Sequence, residues 1–243
     1  MLMFSALVFL LAGLVKGVLG MGLPTVAMGL LALVMTPAEA AAQLLIPSML
    51  TNLWQLFAGP ALAGLLRRLW PMLAGICVGT LLGARWLVGS DAGWIAGALG
   101  AMLACYGLLG LSARRFGVPP RQEVWLSPLV GLATGLVTGA TGVFVIPAVP
   151  YLQALRLDKE DLIQALGLSF SVSTLALGAG LLHHGALQAT DLGRSLVMLA
   201  PAMLGLGLGQ WLRHRLSEAL FRRLFFIGLI VLGIHLIIEA LLP

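Results

Sequence analysis

The sequence predicts an all-α integral membrane protein of about ten helical segments, two of them short or re-entrant, arranged as two inverted repeats. Three observations lead there. The chain of 243 residues is 60% apolar and only 9% charged, with a mean hydropathy of +1.05, whereas a soluble domain carries about 25% charged residues. Its apolar runs are continuous rather than alternating, which excludes the pattern of a membrane β-barrel. Most runs also approach the roughly 20 residues that a spanning helix needs. Finally, the two halves carry the same polar and glycine motifs in the same order.

Polar punctuation defines the segments. In the first half they cover about Leu2–Leu19, Leu23–Met35, Ala38–Phe57, Leu69–Val88 and Ala92–Leu111. In the second they cover Val124–Thr141, Val143–Leu155, Leu162–Leu182, Leu192–Leu212 and Phe221–Leu242. Residues 1–112 are read as the first repeat, 113–123 as a cytoplasmic connecting loop and 124–243 as the second repeat. The start, Met1-Leu-Met-Phe, has no basic region, and apolar sequence runs past Lys16 to Met35, so no cleavable leader is expected. Cys77 and Cys105 fall inside apolar segments and read as small core residues, neither a disulfide nor a metal pair.

Charge sets the expected orientation. If every segment crosses, one face collects Arg67 and Arg68; Arg114, Arg115 and Arg121; Arg156 and Lys159; and Arg213, Arg215, Arg222 and Arg223. These are 11 of the 14 basic residues, which makes that face cytoplasmic. Glu39, Asp91 and Asp191 lie opposite. Five crossings per half invert the second repeat; re-entrant short segments would leave four and make the repeats parallel.

Each short segment follows a glycine-rich stretch, Gly13–Pro24 in the first half and Gly131–Gly142 in the second, the latter running on to Pro147. Gly13 with Gly17, Gly131 with Gly135, and Gly75, Gly79 and Gly83 repeat every four residues, a spacing that lets helices approach closely in lipid. In the two paired stretches the glycines are dense enough to predict exposed, non-helical backbone. Such backbone survives at membrane depth only where protein or a water-lined cavity satisfies it. Matched breaks in two halves of a hydrophobic chain point to the binding site of a transporter. A second motif supports the duplication: Glu39 and Glu160, Gln43 and Gln164, and Ser48 and Ser169 are each 121 residues apart (160 − 39 = 121), as are Asn52 and Ser173.

Candidate binding residues follow from these motifs. Lys16 is the one basic residue well inside a predicted span, and placing a lysine there costs about 2.5–3.5 kcal/mol on insertion scales. It either presents a cation to an anionic substrate or snorkels to headgroups. Gly17, Gly20 and Gly22 accompany it at the first break; Thr134, Thr138, Gly139, Thr141 and Gly142 form the second. The third segment carries Ser48, Thr51, Asn52 and Gln55 on one face beside Pro47, and its counterpart carries Ser169, Ser171, Ser173 and Thr174. With Gln43 and Gln164, the members Ser48, Asn52, Ser169 and Ser173 complete the expected substrate site, the bland alternative being interhelical hydrogen bonds. Half-helix N-termini at a break favour anions. The residues thus imply a small anion or polar solute bound between the repeats. Adjacent His183 and His184 make a poor zinc site, and Ser169 lacks a G-x-S-x-G setting. No enzyme, cofactor, metal site or nucleic-acid partner is expected.

The paired stretches Gly13–Pro24 and Gly131–Pro147, the following A-E-A-A-A-Q and K-E-D-L-I-Q runs, and the length together resemble the sulfite exporter TauE/SafE family of membrane transporters. The resemblance spans essentially the whole chain. Met21 and Leu23 interrupt the first glycine run, and Ala140-Thr141 the second. What the resemblance implies is secondary transport of sulfite or a small organosulfur anion such as a sulfonate across the bacterial inner membrane. A coupling proton or other ion, the lipid bilayer and a homodimer are the further expected partners. Two other readings stay open on the residues alone: a cation or metal-ion transporter or channel using break carbonyls and hydroxyls, and a membrane-embedded enzyme or structural subunit.

Overall fold

The computed structural model describes residues 1–112, 117–213, 215 and 217–242, so Arg114 and Arg115 of the expected loop lie outside the described residues. Among the described residues it has ten α-helices and no strand. They are α1 (Leu2–Leu19), α2 (Leu23–Leu31), α3 (Pro37–Leu56), α4 (Leu62–Gly89), α5 (Ala92–Leu111), α6 (Pro120–Thr141), α7 (Ala148–Ala154), α8 (Lys159–His183), α9 (Ala189–Arg213) and α10 (Glu218–Leu241). Seven of these are long and apolar enough to cross a membrane. The protein is therefore a multi-pass membrane protein. Helices α2 and α7, with 9 and 7 residues, are the short segments. Helix α3 has the length of a span but is diluted by Glu39, Gln43, Ser48, Thr51, Asn52 and Gln55.

Two helices start earlier than the apolar pattern places them. Helix α4 begins at Leu62 and runs through Arg67 and Arg68, because charged residues end an apolar run without ending a helix. Helix α6 begins at Pro120, where the fixed φ of proline suits a first turn, and it takes in Arg121 and Glu123.

The helices gather into two compact units. The first joins the residues through Pro47, those from Ser90 along α5, and those from Gln188 onward; the second holds Ser48–Gly89 and the residues leading through α6, α7 and α8 to Leu187. Each unit combines helices from both halves of the sequence, and the boundary within α3 falls at Pro47.

In the first unit α1 packs along α9. A Cβ added at Gly13 would strike the carbonyl of Ala202, one at Gly17 that of Leu206, one at Gly205 that of Leu10 and one at Gly209 that of Leu14. In the second unit α4 packs along α6 in the same manner. A Cβ at Gly131 would strike Met72 O, at Gly135 Ile76 O, at Gly79 Leu132 O, and at Gly75 Pro128 O at 2.6 Å. These are backbone atoms, so no side-chain rotation relieves them. The expectation of non-helical backbone at Gly13, Gly17, Gly131 and Gly135 is thereby overturned: all four lie inside helices, and their lack of a side chain serves helix contact. Gly75, Gly79 and Gly83 are packing residues as well. Helices α5 and α10 cross at Gly100 and Gly233 in the first unit.

The outer surface is apolar. Leu7, Leu11, Trp70, Leu81, Leu129, Leu204 and Val231 are all exposed, as a chain facing lipid requires.

Candidate functional site

The first break lies in the first unit. Helix α1 ends at Gly20, whose φ of 76° is left-handed, and its amide donates to Lys16 O at 2.8 Å. Gly22 follows at φ 105° and caps the start of α2. Two left-handed residues in three reverse the chain within one short turn, a geometry that glycine adopts without steric cost. The break is braced by aromatic packing: Tyr106 donates to Met21 Sδ at 3.1 Å and stacks edge-on against Phe225 and Phe226.

Lys16 sits in the last turn of α1 with 2% of its surface exposed. Protein encloses the side chain, so it does not extend to headgroups in the manner of a snorkelling lysine. The C-terminal carbonyls of a helix favour a cation there. Beyond the break, the amides of Leu23 and Thr25 head the first turn of α2, since early helical N–H groups lack an intrahelical acceptor; Val26 N already donates to Gly22 O at 2.9 Å. Thr25 is fully buried, and its hydroxyl has no hydrogen-bond partner among the described residues. Thr25 was absent from the sequence-derived candidates. The signal for it is the run Gly22-Leu-Pro-Thr25, which puts a hydroxyl in the first turn after a proline at N2.

Gln43 and Ser195 complete the first unit. Pro47 has no N–H for the carbonyl of Gln43, four residues earlier. Ser195 Oγ on α9 supplies the missing donor at 2.8 Å and accepts from Ile46 N at 3.0 Å. The side chain of Gln43 is 7% exposed and reaches Met35 Sδ at 3.5 Å.

The second break lies in the second unit and is built differently. Gly142 ends α6 at φ 72° with its amide on Thr138 O at 2.8 Å. Thr134, Thr138 and Thr141 are buried, but each hydroxyl donates at 2.7 Å to the carbonyl four residues earlier on its own helix. Thr141 Oγ1 also accepts from Val143 N at 3.3 Å. Gly139 is helical and faces α4, where a Cβ would lie 2.6 Å from Ala84 N.

The hydroxyl face of the second unit does assemble. Ser48, Thr51, Asn52, Ser169 and Ser173 are fully buried, and Asn52 Nδ2 lies 3.5 Å from Ser48 Oγ and 3.4 Å from Thr174 Oγ1 of α8. The hydroxyls of Ser169 and Ser173, one turn apart, have no partner among the described residues, whereas Ser171 and Thr174 donate at 2.7 Å to Gly167 O and Phe170 O. A buried hydroxyl without a partner costs about 1–3 kcal/mol, so such groups mark sites where something else supplies one. The amide of Gln164 is committed elsewhere. Its Nε2 donates to Leu56 O at 2.7 Å and Gly59 O at 2.6 Å, while Oε1 accepts from Ala61 N at 2.9 Å. Gln164 thus clamps the turn between α3 and α4.

Comparison with curated proteins and with solved structures returns no significant match. A family model, sulfite exporter TauE/SafE, matches residues 5–236 of the chain. That match takes in both glycine breaks, the polar faces of α3 and α8 and all ten helices in whole or part, and it accords with a many-helix membrane protein. The chain belongs to the sulfite exporter TauE/SafE family of membrane transporters.

Proposed function

We propose that this transporter moves a small sulfur oxyanion or organosulfur anion, sulfite or a sulfonate, across the bacterial inner membrane. In the first unit the anion is held at the first break by Lys16, the α2 amides and Thr25. The observation that carries the reading is the pairing of a lysine 2% exposed with a break leading to the unpartnered, fully buried Thr25 hydroxyl. A buried cation disfavours a cationic substrate at that spot and favours an anion. Lysine, backbone amide and hydroxyl are the donor types that this stretch offers, a set that suits an oxyanion. In the second unit, Ser169 and Ser173 offer neutral donors that bind an anion without trapping it.

Calorimetry on the purified protein with sulfite, sulfate, thiosulfate, taurine and sulfoacetate tests the substrate class. Saturable binding of at least one sulfur anion, and its uptake into or efflux from proteoliposomes, is expected. Binding of metal cations with no anion binding would overturn the reading.

The orientation belongs to the same proposal. Cysteines placed at Gln122, at the start of α6, and at His184, at the end of α8, are expected to label from opposite sides of intact cells. Labelling of both from one side would remove the five-crossing topology and the inverted repeat with it.

A further inference from the structure

The glycine contacts define which residues of the two units correspond. Gly75 meets Pro128 O as Gly205 meets Leu10 O, and Gly131 meets Met72 O as Gly13 meets Ala202 O. The offsets are constant: 118 between α1 and α6 (128 − 10 = 118) and 130 between α4 and α9 (205 − 75 = 130). By the same offsets Glu123 of α6 corresponds to Ser5 of α1, and Arg68 of α4 to Met198 of α9. The 121-residue offset pairs Gln164 with Gln43 and Glu160 with Glu39.

Ser5, Glu39, Gln43 and Met198 all line one cavity of the first unit, about 410 Å³ in volume, together with Arg194. Ser5 and Gln43 are 3% and 7% exposed. In the second unit two of the corresponding positions are filled differently. Arg68 Nε donates to Glu123 Oε1 at 2.6 Å and its terminal nitrogen to Oε2 at 2.8 Å. The side chain of Glu123 is 14% exposed and that of Arg68 40%, so the pair sits at the mouth of the unit with the carboxylate on the inner side. One turn further along α6, Ser127 is 2% exposed and shares a 2.6 Å hydrogen bond with Tyr151 of α7. Gln164, the counterpart of a cavity-lining residue, is fully occupied by the α3–α4 turn.

We infer that the Arg68–Glu123 pair is a plug, closing in the second unit the cavity that stands open at the corresponding place in the first. A bidentate arginine–carboxylate pair is directional and ties both long side chains together between α4 and α6. The smaller or unbranched side chains at the same two positions, Ser5 and Met198, line the cavity of the first unit instead. When the plug parts, the Arg68 guanidinium is released to line the opened space, as Arg194 lines the cavity of the first unit. The inference rests on the duplication and the ion pair, and it holds whatever the transported anion is.

The test is thiol accessibility in the purified full chain, with Cys77→Ala and Cys105→Ala removing the native thiols. Ser5→Cys reports the open cavity, Ser127→Cys the plugged one and Ser195→Cys a buried reference. Toward a charged thiol reagent, Ser5→Cys, which lines the cavity, is expected to react faster than Ser127→Cys, although both positions are buried. Adding Glu123→Ala or Arg68→Ala should accelerate Ser127→Cys at least tenfold and leave Ser195→Cys slow. The exchanged pair, Arg68→Glu with Glu123→Arg, should return Ser127→Cys to its slow rate. An unchanged rate at Ser127→Cys after Glu123→Ala overturns the plug. So does acceleration of Ser127→Cys and Ser195→Cys together, since that reports general loosening.

Discussion

The α1–α9 pair of the first unit and the α4–α6 pair of the second are one interface built twice, yet they end differently. In both, two glycines on each helix meet backbone carbonyls of the other. Past the shared contacts, α1 stops at Gly20 and α6 continues to Gly142. The caps are 122 residues apart (142 − 20 = 122) where the packing offset is 118, so α6 carries four extra residues, about one helical turn. The extra turn adds a third contact, Gly83 against Gly139, with a Cβ at Gly83 reaching Leu136 O at 2.6 Å. It also changes the residue beside the break. The last turn of α1 presents Lys16, while that of α6 presents Thr138, its hydroxyl committed to Thr134 O. One added turn thus separates a break that bears a lysine from one that bears a hydroxyl. The packing is the same in the two pairs, and one difference between them lies where α1 and α6 stop.

The sharpest way to break this equivalence is to fill the glycine contacts. Gly79→Leu and Gly209→Leu, matched by the 130-residue offset, are each expected to abolish recovery of monodisperse protein. The milder Gly79→Ala and Gly209→Ala should lower the thermal midpoint in detergent, in line with the about 1–3 kcal/mol typical of overpacking. If only one of the two is sensitive, the interfaces are not equivalent.

The next largest effect sharpens the difference between the breaks. Lys16→Gln is expected to weaken sulfur-anion binding ten- to a hundredfold, since a charge-assisted hydrogen bond contributes about 1.5–3 kcal/mol at roughly 1.4 kcal/mol per decade. Lys16→Arg should keep part of the affinity, and Thr134→Val or Thr138→Val should cost less than Lys16→Gln. Calorimetry per folded protein separates these effects from expression. Unchanged affinity in Lys16→Gln would move the anion to the hydroxyls of the second unit.

Gln43 and Gln164 give a third comparison. Gln164→Ala removes three hydrogen bonds at the α3–α4 turn and is expected to cost about 1–3 kcal/mol of stability. Gln43→Ala loses only a long contact to sulfur and should cost less than about 1 kcal/mol. Equal losses in denaturant titrations would contradict the distinct roles assigned to them.

The smallest effect concerns the proline of α3. Ser195→Ala is expected to cost about 1 kcal/mol, the net contribution of one hydrogen bond. In a Pro47→Ala background Gln43 O regains a donor within its own helix, so the same substitution should become nearly neutral. A double-mutant cycle reads that coupling directly. Additive losses would show that Ser195 does not act through the proline.

Composition and periodicity alone determined that this chain is a helical membrane protein and where most of its helices lie, although α4 starts seven residues before its apolar run (69 − 62 = 7); the repeated motifs are what pointed to related halves. Those properties follow from local rules: lipid demands long apolar helices, and a duplicated gene keeps its motifs. The Glu39–Glu160 series and the two glycine stretches were readable for that reason. The tertiary structure decided what each glycine is for. Gly13 and Gly135 look identical in sequence to a break residue, and only the facing carbonyls of Ala202 and Ile76 make them contact points; only Gly20, Gly22 and Gly142 take left-handed angles at the breaks. It also decided the fate of each polar side chain. Gln164 became a clamp, Thr134 bonded its own helix, Arg68 found Glu123, and Thr25, Ser169 and Ser173 were buried without partners among the described residues. Such outcomes depend on residues more than fifty positions away, or on which face of a helix is enclosed, and a linear pattern of residue types carries neither distance nor direction.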